Sequence, residues 1–432
     1  MNLNHYLMNE YGVSGDIINF VQRITEKIEK DFDKSMTDIM DFNQMKILNA
    51  MKEFRLASTD FHWTTGYGYG DYGRDKVEEI YAKIFQTEEA LVRPNIVSGT
   101  HAIFLTLNSL LQPNDTLLSL CGPLYDTMQK AIGLTGDIPG SLIEKGVKYK
   151  EVPLKKGKMQ VEFFQDYIDP STKVVAIQRS TGYSNRSAFT LDDIEKAIQV
   201  IKDISSDIII FVDNCYGEFT NYKEPSELGA HIMAGSLIKN PGGGLAFSGG
   251  YIVGKKELIT RITNNLTAPG IGGDCGLTFG MTRQILQGLF IAPKVVYDAM
   301  KGARLFAAAF EELGYVCVPR SKEERSDIIQ GIQCDSPEKL ECFCESIQSI
   351  SPVDAHFTPT ASYMPGYEDK VIMAAGGFIE GSSIELSADG PLREPYMAFL
   401  QGGLTFSHCK LALMYVLSQF EQKGYIELKN SV

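Results

Sequence analysis

Between residues 60 and 290, short apolar runs alternate with stretches of helical periodicity, and this constrains the fold more than any other feature of the chain. The runs are 117–120, 174–178, 208–212, 232–234 and 250–253, and helical stretches such as 76–85, 101–111 and 191–204 lie among them. Short runs dominated by apolar side chains, without polar alternation, suit strands buried on both faces. Helices interleaved with such strands pack as layers against a mainly parallel sheet. The expected class is α/β, with a site beyond the carboxyl ends of the strands.

The flanks read differently. Ile17, Val21, Ile24, Ile28 and Phe32 recur at helical spacing, and a second helix is expected after Asp41 through Ile47, Leu48 and Met51. Residues 1–60 are therefore expected to form a helical N-terminal arm. After Pro293 a long helix is expected over 294–313, then strands at 315–318 and 328–332, a helix at 337–350, strands at 371–375 and 383–387, and a final helix at 410–422. That succession reads as a smaller C-terminal α+β domain, 294–432, behind a large α/β domain, 61–293.

Composition excludes some functions. A net charge of −13 argues against a nucleic-acid surface, which needs a basic patch. No window approaches the roughly 20 apolar residues of a membrane span, and the N-terminus lacks a basic start followed by an apolar stretch. The cysteines are scattered, and the close pair, Cys342 and Cys344, falls in an expected helix. The histidines show no metal-ligand spacing. These features point to a reduced cytoplasmic protein with no metal centre, no membrane anchor and no nucleic-acid partner.

Three segments carry chemistry. The run 208–212 ends in Asp213; Lys239 is followed by Asn240-Pro241-Gly242-Gly243-Gly244; and Ser98-Gly99-Thr100-His101 opens an expected helix. A lysine amine, a carboxylate at a strand end and a glycine-bearing helix start are the parts needed to hold pyridoxal phosphate. The amine forms an imine with the aldehyde, the carboxylate pairs with the pyridine nitrogen, and the helix start takes the phosphate. Each has a plainer reading alone: a solvated lysine, a turn aspartate, an N-cap serine. The glycines after Lys239 suggest a backbone passing close to a bound ligand.

Further candidates surround these parts. Ser236 would add a hydroxyl to the phosphate site. Tyr125, in Gly122-Pro123-Leu124-Tyr125-Asp126, would stack on the pyridine face and shuttle a proton, or is a core tyrosine at a turn. His101 would line the pocket or cover the helix surface. The segment Thr65-Gly66-Tyr67-Gly68-Tyr69-Gly70-Asp71-Tyr72-Gly73-Arg74 follows no expected strand, so it is not a dinucleotide fingerprint. It reads as a mobile, functional loop in which Arg74 pairs with phosphate or with a nearby acid.

Several of these strings resemble a known family. Gly229-Ala230-His231-Ile232-Met233-Ala234-Gly235-Ser236-Leu237-Ile238-Lys239 is similar to the lysine segment of the pyridoxal-phosphate enzymes of cysteine and methionine metabolism. Val212-Asp213-Asn214-Cys215-Tyr216-Gly217-Glu218-Phe219, Ser98-Gly99-Thr100-His101-Ala102, Gln178-Arg179-Ser180 and Glu385-Leu386-Ser387-Ala388-Asp389-Gly390-Pro391 resemble its bacterial methionine gamma-lyase-like, or aluminium resistance, branch. The resemblance implies the fold type I architecture of transferase-like pyridoxal-phosphate enzymes and a carbon–sulfur lyase releasing a keto acid, ammonia and a thiol from a sulfur-containing amino acid. It also implies a homo-oligomer, a dimer or a tetramer of dimers.

By position, the resemblance makes Lys239 the imine lysine and Asp213 the partner of the ring nitrogen. Tyr125 becomes the stacking tyrosine, and Gly99, Thr100 and Ser236 the phosphate ligands. Tyr67 stands near the family's tyrosine that reaches a neighbouring subunit's phosphate, but Tyr69 occupies the place of its companion arginine, leaving Arg74 as substitute. The family's carboxylate-binding arginine corresponds to Glu385, which cannot bind a carboxylate. Arg393 is the replacement candidate, ahead of Arg179 and Arg186. An aminotransferase, or a weakly catalytic pyridoxal-phosphate-binding stress or regulatory protein, would use the same three parts.

Overall fold

The computed structural model describes residues 2–428; the side chains of residues 31–34, including Phe32 of the expected apolar stripe, lie outside the described residues. The chain divides into two compact units, one made of residues 41–182 and 188–293, the other of the segments up to residue 40, 183–187 and from 294 onward. Residues 1–60, expected as one arm, are thus divided between the units after residue 40.

The first unit is built on a seven-stranded sheet. Its strands are β1 (Glu89–Arg93), β2 (Thr116–Ser119), β3 (Lys148–Glu151), β4 (Thr172–Gln178), β5 (Ile209–Asp213), β6 (Ile232–Ser236) and β7 (Gly250–Gly254), ordered β1-β7-β6-β5-β4-β2-β3. The pairs from β3 through β6 are parallel, and β7 runs antiparallel to both β6 and β1. The sheet is mainly parallel, as the apolar runs implied. β1 and β3 were not legible. β3 reads Lys-Tyr-Lys-Glu at the sheet's edge, where charged side chains blunt further pairing and no apolar run is needed. Helices Tyr72–Ile84, Gly99–Leu110 and Leu191–Ile204 stand where periodicity placed them.

The second unit gathers one apolar core. Ile17, Val21, Ile24 and Ile28 bury their stripe with Phe306, Phe310, Phe343 and Phe420. Its sheet, β8 (Cys317–Val318), β9 (Ile329–Gln333), β10 (Val371–Ala374), β11 (Ser387–Pro391) and β12 (Met397–Gln401), is antiparallel in the order β10-β11-β12-β9-β8.

Three expectations need correction. Helix Gly15–Glu53 is continuous, so no second helix begins after Asp41. Helix Thr282–Glu312 runs through Pro293 instead of starting at 294. A proline removes one intrahelical hydrogen bond, but buried Leu286, Leu289, Val296 and Met300 pack on both sides of it and hold the helix. Finally, the expected strand at 383–387 is a turn. Glu385 there accepts hydrogen bonds from the backbone N–H groups of Phe378 and Ile379, each at 3.0 Å, and the strand begins only at Ser387.

Among the described residues no helix is long and apolar enough to cross a membrane. All eight cysteines are free, Cys342 and Cys344 being buried in helix Pro337–Ser349.

Candidate active site

The carboxyl ends of three parallel strands converge. In register, Gln178 at the end of β4 lies opposite Asp213 at the end of β5, and Asp213 lies opposite Ala234, two residues before β6 ends at Ser236. The Asp213 carboxylate is buried, and its Oδ1 accepts the Cys215 backbone N–H at 3.1 Å. Burial pushes its pKa up, while Lys239 and the Cys215 N–H draw it down.

Lys239 follows β6 and precedes a single 3-10 turn, Asn240–Gly242. That turn demands glycine: a Cβ on Gly242 would overlap the Leu237 carbonyl, and Gly243, at φ 52°, lies against the Gly288 carbonyl. The glycines at 242 and 243 thus make room for the protein's own backbone, not for a ligand as the sequence suggested. Lys239 Nζ lies 3.9 Å from the centroid of the Tyr216 ring. Burial pushes the ammonium's pKa down, but Cys215, Tyr216, Asp213 and Tyr125 outweigh burial and raise it well above the ordinary lysine value.

The third part arrives with helix Gly99–Leu110. Ser98 caps it, its hydroxyl accepting the His101 N–H at 3.0 Å, which leaves Gly99 and Thr100 N–H groups without intrahelical acceptors. The helix start presses directly on the strand ends. A Cβ on Gly99 would stand 3.1 Å from Ser236 Cβ and 3.5 Å from Cys215 Sγ. Glycine is needed at 99 for this close approach.

Tyr125 joins the group from the loop after β2. Its N–H donates to Gln178 Oε1 at 2.9 Å, and its hydroxyl lies 3.1 Å from Thr100 Oγ1. Burial, reinforced by Asp213, pushes the phenol's pKa up and keeps it protonated. The structure therefore brings Lys239, Asp213, Tyr125, Gly99, Thr100 and Ser236 to one end of one sheet. An amine, a buried carboxylate and a helix start closed onto a strand-end serine fit the demands of pyridoxal phosphate.

Other candidates are committed elsewhere. The Arg74 guanidinium is buried and donates to the carbonyls of Gly66 (3.0 Å) and Gly68 (3.3 Å) and to Asp75 (3.1 Å). It shapes the glycine–tyrosine loop and takes the nearby-acid option. That loop is tied down, since Thr278 and Gly280 donate to the carbonyls of Thr65 (2.8 Å) and Thr64 (3.1 Å). Tyr67 is 70% exposed on it. His101 accepts the Val97 N–H at 3.2 Å, a local bond at the helix start. Arg179 is fully buried and donates to Asn214 (2.8 Å), Thr220 (3.0 Å) and Glu224 (3.4 Å), so it braces the turn after Asp213. In the other unit, Arg393 pairs with Asp369 at 3.0 Å on the surface, and Arg186 donates to the Ser187 carbonyl at 3.0 Å.

Sequence reasoning gave no role to Gln178, Cys215, Tyr216 and Glu218. Three of these lie within five residues after Asp213, so proximity to a functional strand end was the available signal. Among the described residues no group of three or more His, Cys, Asp or Glu is gathered to hold a metal ion.

A family model described as methionine gamma-lyase matches residues 17–421. A Bacillus subtilis (strain 168) protein of uncharacterized function, YnbB, is 47% identical over 395 residues, covering 91% of this chain and 94% of its own. The crystal structure of a carbon-sulfur lyase involved in aluminum resistance from Clostridium novyi NT is 46% identical with a TM-score of 0.92, covering 97% of this chain and all (100%) of its own. That of a candidate cystathionine beta-lyase involved in aluminum resistance from Clostridium acetobutylicum is 47% identical with a TM-score of 0.93, covering 96% and 98%. The pyridoxal-5'-phosphate-dependent YhfS of Escherichia coli, at 16% identity and a TM-score of 0.62 over 90% of this chain and 98% of its own, shares the fold type I architecture alone.

Proposed function

The chain belongs to the methionine gamma-lyase family, and on that premise we propose that it is a pyridoxal-phosphate-dependent carbon–sulfur lyase acting on a sulfur-containing amino acid. The observation that carries the reading is the meeting of Lys239, Asp213 and the Gly99–Ser236 contact at the carboxyl ends of β5 and β6.

When bound, pyridoxal phosphate supplies an electron sink that weakens the bonds at the substrate's Cα. Lys239 Nζ anchors the cofactor. Freed by an amino-acid substrate, Nζ would be the base that takes the proton from Cα. Asp213 would pair with the pyridine nitrogen and help keep it protonated, and Lys239 and the Cys215 N–H favour its charged form against burial. The N–H groups of Gly99 and Thr100 and the Ser236 hydroxyl hold the phosphate. Tyr125, held by Gln178 and Thr100, would stack on the ring and would supply its hydroxyl proton to the leaving sulfur.

In this reading Tyr67 reaches the phosphate of a neighbouring subunit, in a dimer or a tetramer of dimers, and Arg74 shapes the loop that presents it. Arg393 is kept as the candidate for the substrate carboxylate on the family resemblance alone. Glu385 holds a turn together and takes no part in binding. The reading includes a cytoplasmic location.

The test is a screen of cystathionine, cysteine and methionine with the purified protein, scoring thiol and keto acid. Pyruvate marks elimination at Cβ, and 2-oxobutyrate from methionine marks elimination at Cγ. Borohydride reduction in the presence of pyridoxal phosphate should mark Lys239, and Lys239→Ala should lose at least about a thousandfold in kcat. Keto-acid-dependent amino transfer without thiol release, or a mark at another lysine, sinks the proposal.

A further inference from the structure

Tyr216 stands in a conformation that tyrosines rarely adopt, with φ at 70°. Such backbone strain persists only where the surroundings over-determine it. Here they do. Gly217, the next residue, has its Cβ position filled by the Arg179 side chain. Arg179 is itself held by Asn214, Thr220 and Glu224, and the Gly217 N–H donates to the Asn214 carbonyl at 3.0 Å. The turn after Asp213 is thereby wrapped around a buried guanidinium, which leaves Tyr216 no room to relax.

The strained backbone has one evident consequence, the placement of the Tyr216 ring with its centroid 3.9 Å from Lys239 Nζ. Other groups act on Nζ as well: Asp213 from the end of β5, Cys215 beside it, Tyr125 from the loop after β2, and Glu218 further along the turn. Each of those, and the Tyr216 hydroxyl with them, exerts its full attraction only when ionised. An aromatic face attracts a cation through its quadrupole, whatever the ionisation of the acids around it.

We propose that Tyr216 is a positioning residue, whose ring face holds the Lys239 ammonium whenever the amine is not bonded to the cofactor. The inference rests on the role given to Lys239 above. During turnover Nζ is released, takes a proton from Cα and becomes a cation. The ring keeps that cation, with its proton, over the reacting carbon instead of letting the flexible side chain swing toward solvent.

The test reads the titration of Lys239 in the full-length chain freed of cofactor. Competitive acetylation with acetic anhydride across pH, followed by peptide mass spectrometry, gives the midpoint for that lysine. Tyr216→Phe keeps the ring and is expected to keep the midpoint. Tyr216→Asn removes the ring yet suits a left-handed backbone, so the turn survives, and the midpoint is expected to fall by about one pH unit. A Tyr216→Asn midpoint equal to the wild type overturns the inference, as does a Tyr216→Phe midpoint that falls equally, because the hydroxyl would then be the active part. Borohydride marking is a separate reading: a mark away from Lys239 refutes the proposed function and leaves the midpoints to judge the ring.

Discussion

The Tyr251 hydroxyl donates to Glu218 Oε1 at 2.7 Å, and neither side chain is exposed to solvent. Gly235 makes the pair possible. It lies opposite Tyr251 in register, and a Cβ there would come within 2.5 Å of the tyrosine ring and 2.7 Å of Glu218 Oε1. Oε2 of Glu218 has no hydrogen-bond partner, while Asn240, the residue after Lys239, donates to the Glu218 carbonyl at 3.0 Å. The Glu218 backbone thus braces the lysine turn from behind.

Burial raises the Glu218 pKa to about 8, so the carboxyl is protonated at neutral pH. A raised carboxyl contributes stability fully present below its unfolded pKa of about 4.5 and lost as pH rises through about 8. The loss across that window is on the order of 4 kcal/mol. Glu218→Gln keeps the shape and cannot ionise. Its stability relative to wild type should therefore grow as pH is raised from 5 to 8, read by urea denaturation. Parallel pH profiles would show that Glu218 does not titrate in this window.

Arg179 braces the turn from the other side. Removing a guanidinium buried against Glu224, Asn214 and Thr220 leaves an uncompensated buried carboxylate. Arg179→Ala should destabilise the fold by roughly 3–5 kcal/mol. Arg179→Lys should not restore it, because an ammonium lacks the planar fork these partners engage. A change in unfolding free energy below about 1 kcal/mol would fit a solvated arginine better.

Gly99 is where the helix start meets Ser236. A Cβ there would stand 3.1 Å from the serine's Cβ, so Gly99→Ala must push the proposed phosphate site open by a few tenths of an ångström. Pyridoxal phosphate should then bind about tenfold more weakly, roughly 1.4 kcal/mol, with little change in thermal stability. Titration by absorbance decides it, and an unchanged Kd would remove Gly99 from the cradle.

Arg393 offers the clearest kinetic split. If Arg393 takes the substrate carboxylate, as the family resemblance suggests, its loss should raise KM by about tenfold or more while kcat changes little. Asp369→Asn, which frees the guanidinium from its partner, should lower KM or leave it unchanged. A fall in kcat with constant KM for Arg393→Ala would assign it another role.

Periodicity made much of the first unit legible. Runs 174–178 and 208–212 became β4 and β5 because strands buried on both faces must be apolar throughout, a signal local to each strand. β3 left no such trace, since an edge strand is stabilised by its neighbour and not by its own composition. Pro293 misplaced a helix boundary because the packing that overrides a proline comes from distant residues. Glu385 turned a strand-like segment into a turn by taking two backbone N–H groups that the local sequence does not reveal.

By itself, the sequence determined which chemistry is available: an amine at 239, a carboxylate at 213 and a glycine helix start at 99 are covalent facts, each placed at an element end by local patterning. Tertiary structure decided what surrounds them. The Tyr216 ring on Nζ, the Glu218–Tyr251 bond and the commitment of Arg179 to the turn after Asp213 depend on contacts between segments well separated in the chain. Those contacts depend on how strands register and where glycines permit close approach, and no window of neighbouring residues encodes that.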